Sequence, residues 1–177
     1  EQIRTTERYE ERMEAMASGE TGLARFRLEP LKPVRPMLAQ PSESMEDAVS
    51  ALRTALVEYK LDGARIQVHR LDGDVRIFSR QLNDVTASLP EVVESIKALP
   101  GRSLIVDGEV LALRSDGRPH PFQVTMRRFG RTSGVAAMRE KIPLTACFFD
   151  CLYRDSELID QPLSERRRTL VDLAGPD

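Results

Sequence analysis

The sequence predicts an α+β fold in which antiparallel β-sheets are flanked by helices. Two observations carry this reading. Apolar residues switch repeatedly between a spacing of two and a spacing of three and four, so strands and helices interleave. The strands are joined by tight turns such as Asp72-Gly73, which suits hairpins and antiparallel pairing. Size supplies a third constraint: 177 residues, 41% hydrophobic and 31% charged, can bury one sizeable core but not two complete domains.

Taken in order, Arg4 to Ser18 is polar and helix-compatible, with Tyr9, Met13 and Met16 at helical spacing and a stop at Ser18-Gly19. Residues 1–18 are therefore expected to form an N-terminal helix outside the main core. Pro30, Pro33, Pro36 and Pro41 exclude a helix from the next stretch, which makes 19–35 a linker and starts the compact domain, 36–177, near Pro36. Met45, Ala48, Val49, Leu52 and Leu56 repeat at three and four behind a possible N-cap at Ser44, predicting a helix. Residues 56–60 and 64–71 then alternate as strands, and the second turns through Asp72-Gly73 into a strand over 75–78. Leu89, Val92, Val93, Ile96 and Leu99, with Pro90 at a first helical position, predict a helix over 88–99. A strand over 103–113, a turn at Asp116-Gly117, a short helix over 121–129, a strand over 144–153 and a helix over 164–173 complete the reading.

The formal net charge of −2 excludes an overall basic coat, so a nucleic-acid partner has to be met by a local patch. Such a patch is offered between Arg114 and Arg131, where Arg114, Arg118, Arg127, Arg128 and Arg131 outnumber Asp116; Arg127 and Arg128 are the candidate phosphate contacts, with a plain solvated face as the alternative. Cys147 and Cys151 have no histidine companions at metal-ligand spacing and read as packed thiols, while His69 and His120 read as structural or surface residues. No run approaches the length of a membrane span, and the charged N-terminus is unlike a signal peptide, which makes an intracellular, reducing compartment the expectation.

Asp-Gly occurs at 62–63, 72–73, 107–108 and 116–117. The second and fourth read as ordinary turns. The other two carry a reactive group beside them: Lys60 at the end of an apolar strand, and Glu109 before the run Val110-Leu111-Ala112-Leu113. Only 4 of the 26 basic residues are lysines, so candidates for a lysine nucleophile are few.

Lys60-Leu61-Asp62-Gly63-Ala64-Arg65 resembles the K-x-D-G-x-R signature of the covalent nucleotidyltransferases: ATP-dependent DNA ligases, RNA ligases and mRNA capping enzymes. Phe78-Ser79-Arg80 resembles the ligase F-S-R element, Val106-Asp107-Gly108-Glu109 the D-G-E element, and Phe148-Phe149-Asp150 with Leu152-Tyr153 the F-D-x-L-Y strand, all in the family's order. Pro36-Met37-Leu38-Ala39 is similar to the entry of the ligase catalytic domain, and Gln161-Pro162-Leu163 with Arg166-Arg167-Arg168 to the run behind the F-D strand. The resemblance spans residues 33–177 and favours DNA ligase over its sister classes.

What the resemblance implies is an ATP-grasp-like adenylation domain in which the amine of Lys60 attacks the α-phosphate of ATP. An ordinary lysine is protonated at neutral pH, so attack requires desolvation or neighbouring cations, and Tyr59, Leu61, Arg65 and Arg80 are the residues expected to provide them. By resemblance, Arg65 and Arg80 contact the sugar and phosphates, Glu109 binds the ribose or helps hold Mg²⁺, Glu58 reads the adenine amine and Phe149 stacks on the base. Phe148 and Phe149 point to opposite sheet faces, so one of them is core. Asp62 is expected to shape the turn beside the nucleophile. AMP then passes to a 5′-phosphate in nicked double-stranded DNA, and the 3′-hydroxyl seals the nick.

The family continues with two lysine-bearing elements, E-G-x-x-x-K and K-x-K, and then an OB-fold domain, none of which this sequence contains. The expectation is a domain incomplete at its C-terminus, with the OB-fold absent, residues 1–18 as a possible remnant of a DNA-binding domain, and low activity in isolation. A monomer in a prokaryotic cytoplasm, nucleoid-associated through DNA, is the family expectation. The rivals are an RNA ligase or capping-type guanylyltransferase, and a catalytically inactive nucleotide- or DNA-binding module.

Overall fold

The change of hydrophobic period near residue 64 appears as a strand in a computed structural model, which describes residues 27–36, 41–52 and 54–175. The expected N-terminal helix over 4–18 lies outside the described residues. Among these, four strands form one antiparallel sheet: β1 (Ala64–Leu71), β2 (Asp74–Ser79), β3 (Ser103–Ala112) and β4 (Leu144–Arg154), in the order β2-β1-β3-β4. Five α-helices accompany it: α1 (Met45–Ala51), α2 (Pro90–Ala98), α3 (Phe122–Arg128), α4 (Val135–Lys141) and α5 (Leu163–Ala174). The α+β class read from the sequence is the observed one.

β1 and β2 form a hairpin through Asp72 and Gly73, whose φ angles of 48° and 90° are those of a two-residue turn matched to strand twist. Alternation along each strand then divides the sheet into two faces. On one face Ile66, Val68, Ile77, Val106 and Val110 pack against Leu89, Val92 and Ile96 around α2 and against Leu170 and Leu173 of α5. Burying such a side chain contributes about 1.5–3 kcal/mol, so this layer dominates the stability of the sheet. The opposite face carries Arg65, Gln67 and His69 of β1, paired in register with Glu109, Asp107 and Ile105 of β3. Leu28 covers one end of it, forming a second small cluster with Ile105 and Leu152, against which Val34 packs. The described part of the expected linker, 27–35, therefore lies packed on the sheet.

Arg70 ties the two layers together. Its buried guanidinium donates to the carbonyls of Ile96, Leu99, Pro100 and Gly101 at 2.7, 2.7, 2.7 and 2.9 Å, so a side chain from β1 satisfies the acceptors left open at the end of α2. Ser44 caps α1 as expected, accepting the backbone N–H of Asp47 at 3.0 Å.

Three elements differ from the sequence reading. Residues 56–60 form no strand, because no described strand pairs with them; Val57 is 87% and Tyr59 95% exposed. The helix expected over 45–56 ends at Ala51 and buries none of its residues, so its apolar spacing meets no packing partner there. Helix α4 has no counterpart in the sequence reading, being seven residues long and starting after a left-handed Gly134 without a side-chain cap.

Candidate active site

Gly63 and Gly108 decide where the candidate chemistry sits. A Cβ on Gly63 would lie 2.4 Å from the carbonyl oxygen of Val110 and 2.5 Å from a methyl of Leu111, so only glycine lets the Lys60 loop pass this close to β3. A Cβ on Gly108 would lie 2.7 Å from the Phe148 ring and 2.8 Å from the carbonyl oxygen of Cys147, at an irregularity in the β3-β4 ladder. Neither glycine has a positive φ, in contrast to Gly73 and Gly117 at 90° and 80°. The four Asp-Gly pairs therefore split as their neighbours suggested: two turns and two close approaches.

These approaches put Lys60, Arg65 and Glu109 on the same side of the sheet. Glu109 accepts the backbone N–H of Gly63, and Lys60 and Arg65 are near enough for their charges to favour its ionised form. Partial burial outweighs them and raises its pKa above the ordinary carboxylate value, with Asp62 adding like charge. Arg65 donates to Asp107 at 2.6 Å, and its guanidinium lies 5.1 Å from the centre of the Phe149 ring. Phe148 packs instead with the opposite core, as alternation required. Arg80 and Arg65 line one small pocket together with Gln67, Asp107, Val34 and Pro36.

Glu58 pairs with Arg167 of α5 at 3.0 Å, and Arg167 also donates to the Phe149 carbonyl at 3.2 Å. One arginine thus holds the loop that bears Lys60 beside the strand that bears Phe149. Lys60 itself is exposed, so the apolar enclosure expected for it from Tyr59 and Leu61 is not provided by the described residues. Cys147, opposite Glu109, has its thiol pKa raised by burial and by the Glu109 charge; burial raises that of Cys151 to about 11, and both are free thiols.

Arg128 requires a correction. It is 0% exposed, donates to the carbonyl of Ser88 and makes a two-pronged pair with Glu91 at 2.9 and 3.1 Å. Its polar partners are internal, and it cannot face a phosphate backbone. Arg127 is exposed and is left as the candidate of the pair.

The sequence alone gives no role in the site to Gln67, His69, Asp107 or Arg167, and reads His69 as a structural or surface residue. For the first two a signal existed: they stand two and four residues beyond Arg65, and a strand projects such positions onto one face. Asp107 stands in the sequence as a member of the D-G-E element and Arg167 as one of three consecutive arginines behind the F-D strand, with nothing to mark either as a partner of Arg65 or Glu58.

Arg65 on β1, Arg80 just past the end of β2, a loop lysine and the Glu109 carboxylate make a polar site suited to phosphate esters. The ATP dependent DNA ligase domain family matches residues 36–176, and the chain belongs to that family. It is 56% identical over 164 residues to a probable DNA ligase of Anaeromyxobacter sp. (strain Fw109-5), covering 92% of this chain and 31% of that protein. It is 54% identical over 157 residues to a probable DNA ligase of Sorangium cellulosum (strain So ce56), covering 88% of this chain and 30% of that protein. The chain therefore spans about three tenths of the length of these relatives. Its fold is similar to the ligase domain of M. tuberculosis LigD, with a TM-score of 0.51 and 28% identity over 65% of this chain and 35% of that one. A mycobacterial DNA ligase D complexed with ATP and MES is similar at a TM-score of 0.50 and 27% identity, again over 65% and 35% of the two chains. Among the described residues no helix is long and apolar enough to cross a membrane.

Proposed function

We propose that this chain is the nucleotide-binding portion of an ATP-dependent DNA ligase and that Lys60 is its nucleophile. The unprotonated amine of Lys60 attacks the α-phosphorus of ATP, the nitrogen–phosphorus bond forms as pyrophosphate leaves, and the amine's proton passes to solvent, leaving a lysine-AMP phosphoramidate. The AMP then passes to the 5′-phosphate of a nicked duplex, and the 3′-hydroxyl displaces it. The observation that carries this reading is the convergence on one sheet face of Arg65, Arg80, Glu109 and Phe149 beside the Lys60 loop.

Arg65 and Arg80 serve as the fixed cations for sugar and phosphate oxygens, and Phe149 offers the face for the base. Glu109 accepts from a ribose hydroxyl. Among the described residues no three acidic, histidine or cysteine side chains converge, and Glu109 is the carboxylate that would help hold a metal. That suits Mg²⁺, which keeps waters and takes phosphate oxygens alongside one or two carboxylates, and which when bound neutralises charge on those oxygens. Glu58 reads the adenine amine with the carboxylate oxygen that its Arg167 pair leaves open. Arg127 contributes to nicked-DNA contact, and the protein acts as a monomer inside the cell.

Incubation with α-labelled ATP and Mg²⁺ tests the reading. Covalent label stable to denaturation and lost in Lys60→Ala is expected. Label that persists in Lys60→Ala excludes this nucleophile, and label from GTP alone shifts the reading to a capping-type enzyme. If this chain and the longer protein both remain unlabelled, the inactive binding module is the better description.

A further inference from the structure

The face that bears Arg65 also holds a buried chain of hydrogen bonds that the transfer reaction does not require. The backbone N–H of Leu31 donates to His69 Nδ1 at 3.0 Å, and His69 Nε2 lies 2.9 Å from Gln67 Oε1. The backbone N–H of Val34 donates to the same Gln67 oxygen at 2.9 Å, Gln67 Nε2 donates to Asp107 Oδ1 at 3.0 Å, and Arg65 holds Asp107 Oδ2 at 2.6 Å. His69, Gln67 and Asp107 are all buried.

Elementary donor chemistry fixes the direction of every link. A backbone N–H can only donate, so His69 Nδ1 carries no proton and its Nε2 does; Gln67 must present its oxygen to both donors and its amide nitrogen to Asp107. No flip of Gln67 or change of tautomer at His69 preserves more than part of this set. Chains of aligned bonds in a dry interior reinforce one another, and breaking one leaves a buried group unpaired. The segment end of the chain is itself constrained, because Leu31 adopts a φ of 70°, a left-handed conformation unfavourable for a leucine. Leu31 stands in the tight turn that the Lys32 N–H closes on the Glu29 carbonyl at 3.1 Å, and its own N–H bond to His69 fastens that turn to the sheet.

We propose that Gln67 and His69 are positioning residues that couple the seating of residues 31–34 to the Arg65–Asp107 pair, so that this segment sets the orientation in which Arg65 meets a nucleotide. The coupling stands on the geometry alone; its consequence for nucleotide binding rests on the role given to Arg65 above. Val34 and Pro36 line the same pocket as Arg65 and Arg80, which places the segment at the rim of the site it would adjust.

The test uses the full ¹⁵N-labelled chain and needs no nucleotide. Amide exchange at Leu31 and Val34 is measured relative to the Val68 amide, which reports unfolding of β1. In Arg65→Met, which touches neither amide, the two are expected to exchange at least tenfold faster on that relative scale. In Gln67→Met and His69→Phe, the Arg65 Nε–H signal is expected to move and broaden. Val68→Ala, on the other face, is expected to lower stability without either effect. Unchanged exchange in Arg65→Met, or the same changes in Val68→Ala, would overturn the coupling. Failure of Lys60 to take up AMP leaves these readouts unaffected, so the two conclusions fail separately.

Discussion

Asp107 accepts the guanidinium of Arg65 at 2.6 Å from a buried position, whereas Arg65 is partly exposed and spreads over the Phe149 ring. The arginine is thereby held with one edge bound and the rest of its surface available. Removing it strands a buried carboxylate. Arg65→Met is expected to cost roughly 3 kcal/mol of folding stability, and Arg65→Lys, which keeps a charge but not the fork, somewhat less. Urea unfolding checks this; a variant as stable as the parent would show that the pair contributes nothing measurable.

His69 supplies a pH signature. Burial lowers its pKa from 6.5 to about 4, so the folded state holds the ring neutral while the unfolded state takes up a proton near pH 6.5. Its contribution is fully present above about pH 6.5 and is lost as the pH falls from there toward 4, amounting to roughly 3 kcal/mol over the interval. Unfolding free energies measured between pH 4 and 8 are expected to show this slope in the parent and a shallower one in His69→Phe. Equal slopes would place the titration elsewhere.

Arg127 and Arg128 are neighbours with opposite prospects. Arg128→Ala leaves Glu91 and the Ser88 carbonyl without their buried partner and is expected to cost about 3 kcal/mol or more. Arg127→Ala is expected to change stability by less than about 0.5 kcal/mol. In binding to a nicked duplex, Arg127→Ala is expected to lower the salt dependence by about one counterion. An unchanged salt slope would remove Arg127 from the interface.

Gly63→Ala is expected to separate chemistry from folding. The added methyl would overlap the Val110 carbonyl, and the Lys60 loop is easier to displace than β3. Thermal unfolding is expected to move by only a few degrees, as for about 1 kcal/mol in a domain of this size, while Lys60 labelling falls at least a hundredfold. Labelling at the parent rate would show that the loop need not lie against β3.

The sheet was legible in the sequence because its strands alternate and its one short hairpin carries Asp72-Gly73, and both are local signals. The interaction of Glu109 with the Lys60 loop could be anticipated from two Asp-Gly pairs with reactive neighbours. Arg128 could not be told from Arg127, since burial of an arginine depends on where Ser88 and Glu91 come to lie, some 40 and 37 residues away in the chain. Residues 56–60 misled for a related reason: alternation shows that a segment can pair, and pairing needs a partner strand. Helix α4 lacked both a cap and the length that makes periodicity readable.

The alternation of β1 also guards against a misfolded product. A slip of one residue against β3 would drive Arg65, Gln67 and His69 into the layer filled by α2 while turning Ile66 and Val68 onto the polar face beneath residues 28–34. Several kcal/mol separate the two registers, since each displaced charge or amide would lose its partners in an apolar layer. The same polar residues that occupy the candidate site therefore act during folding as a check on alignment, so a sheet that has closed its core has also set the spacing of its functional face.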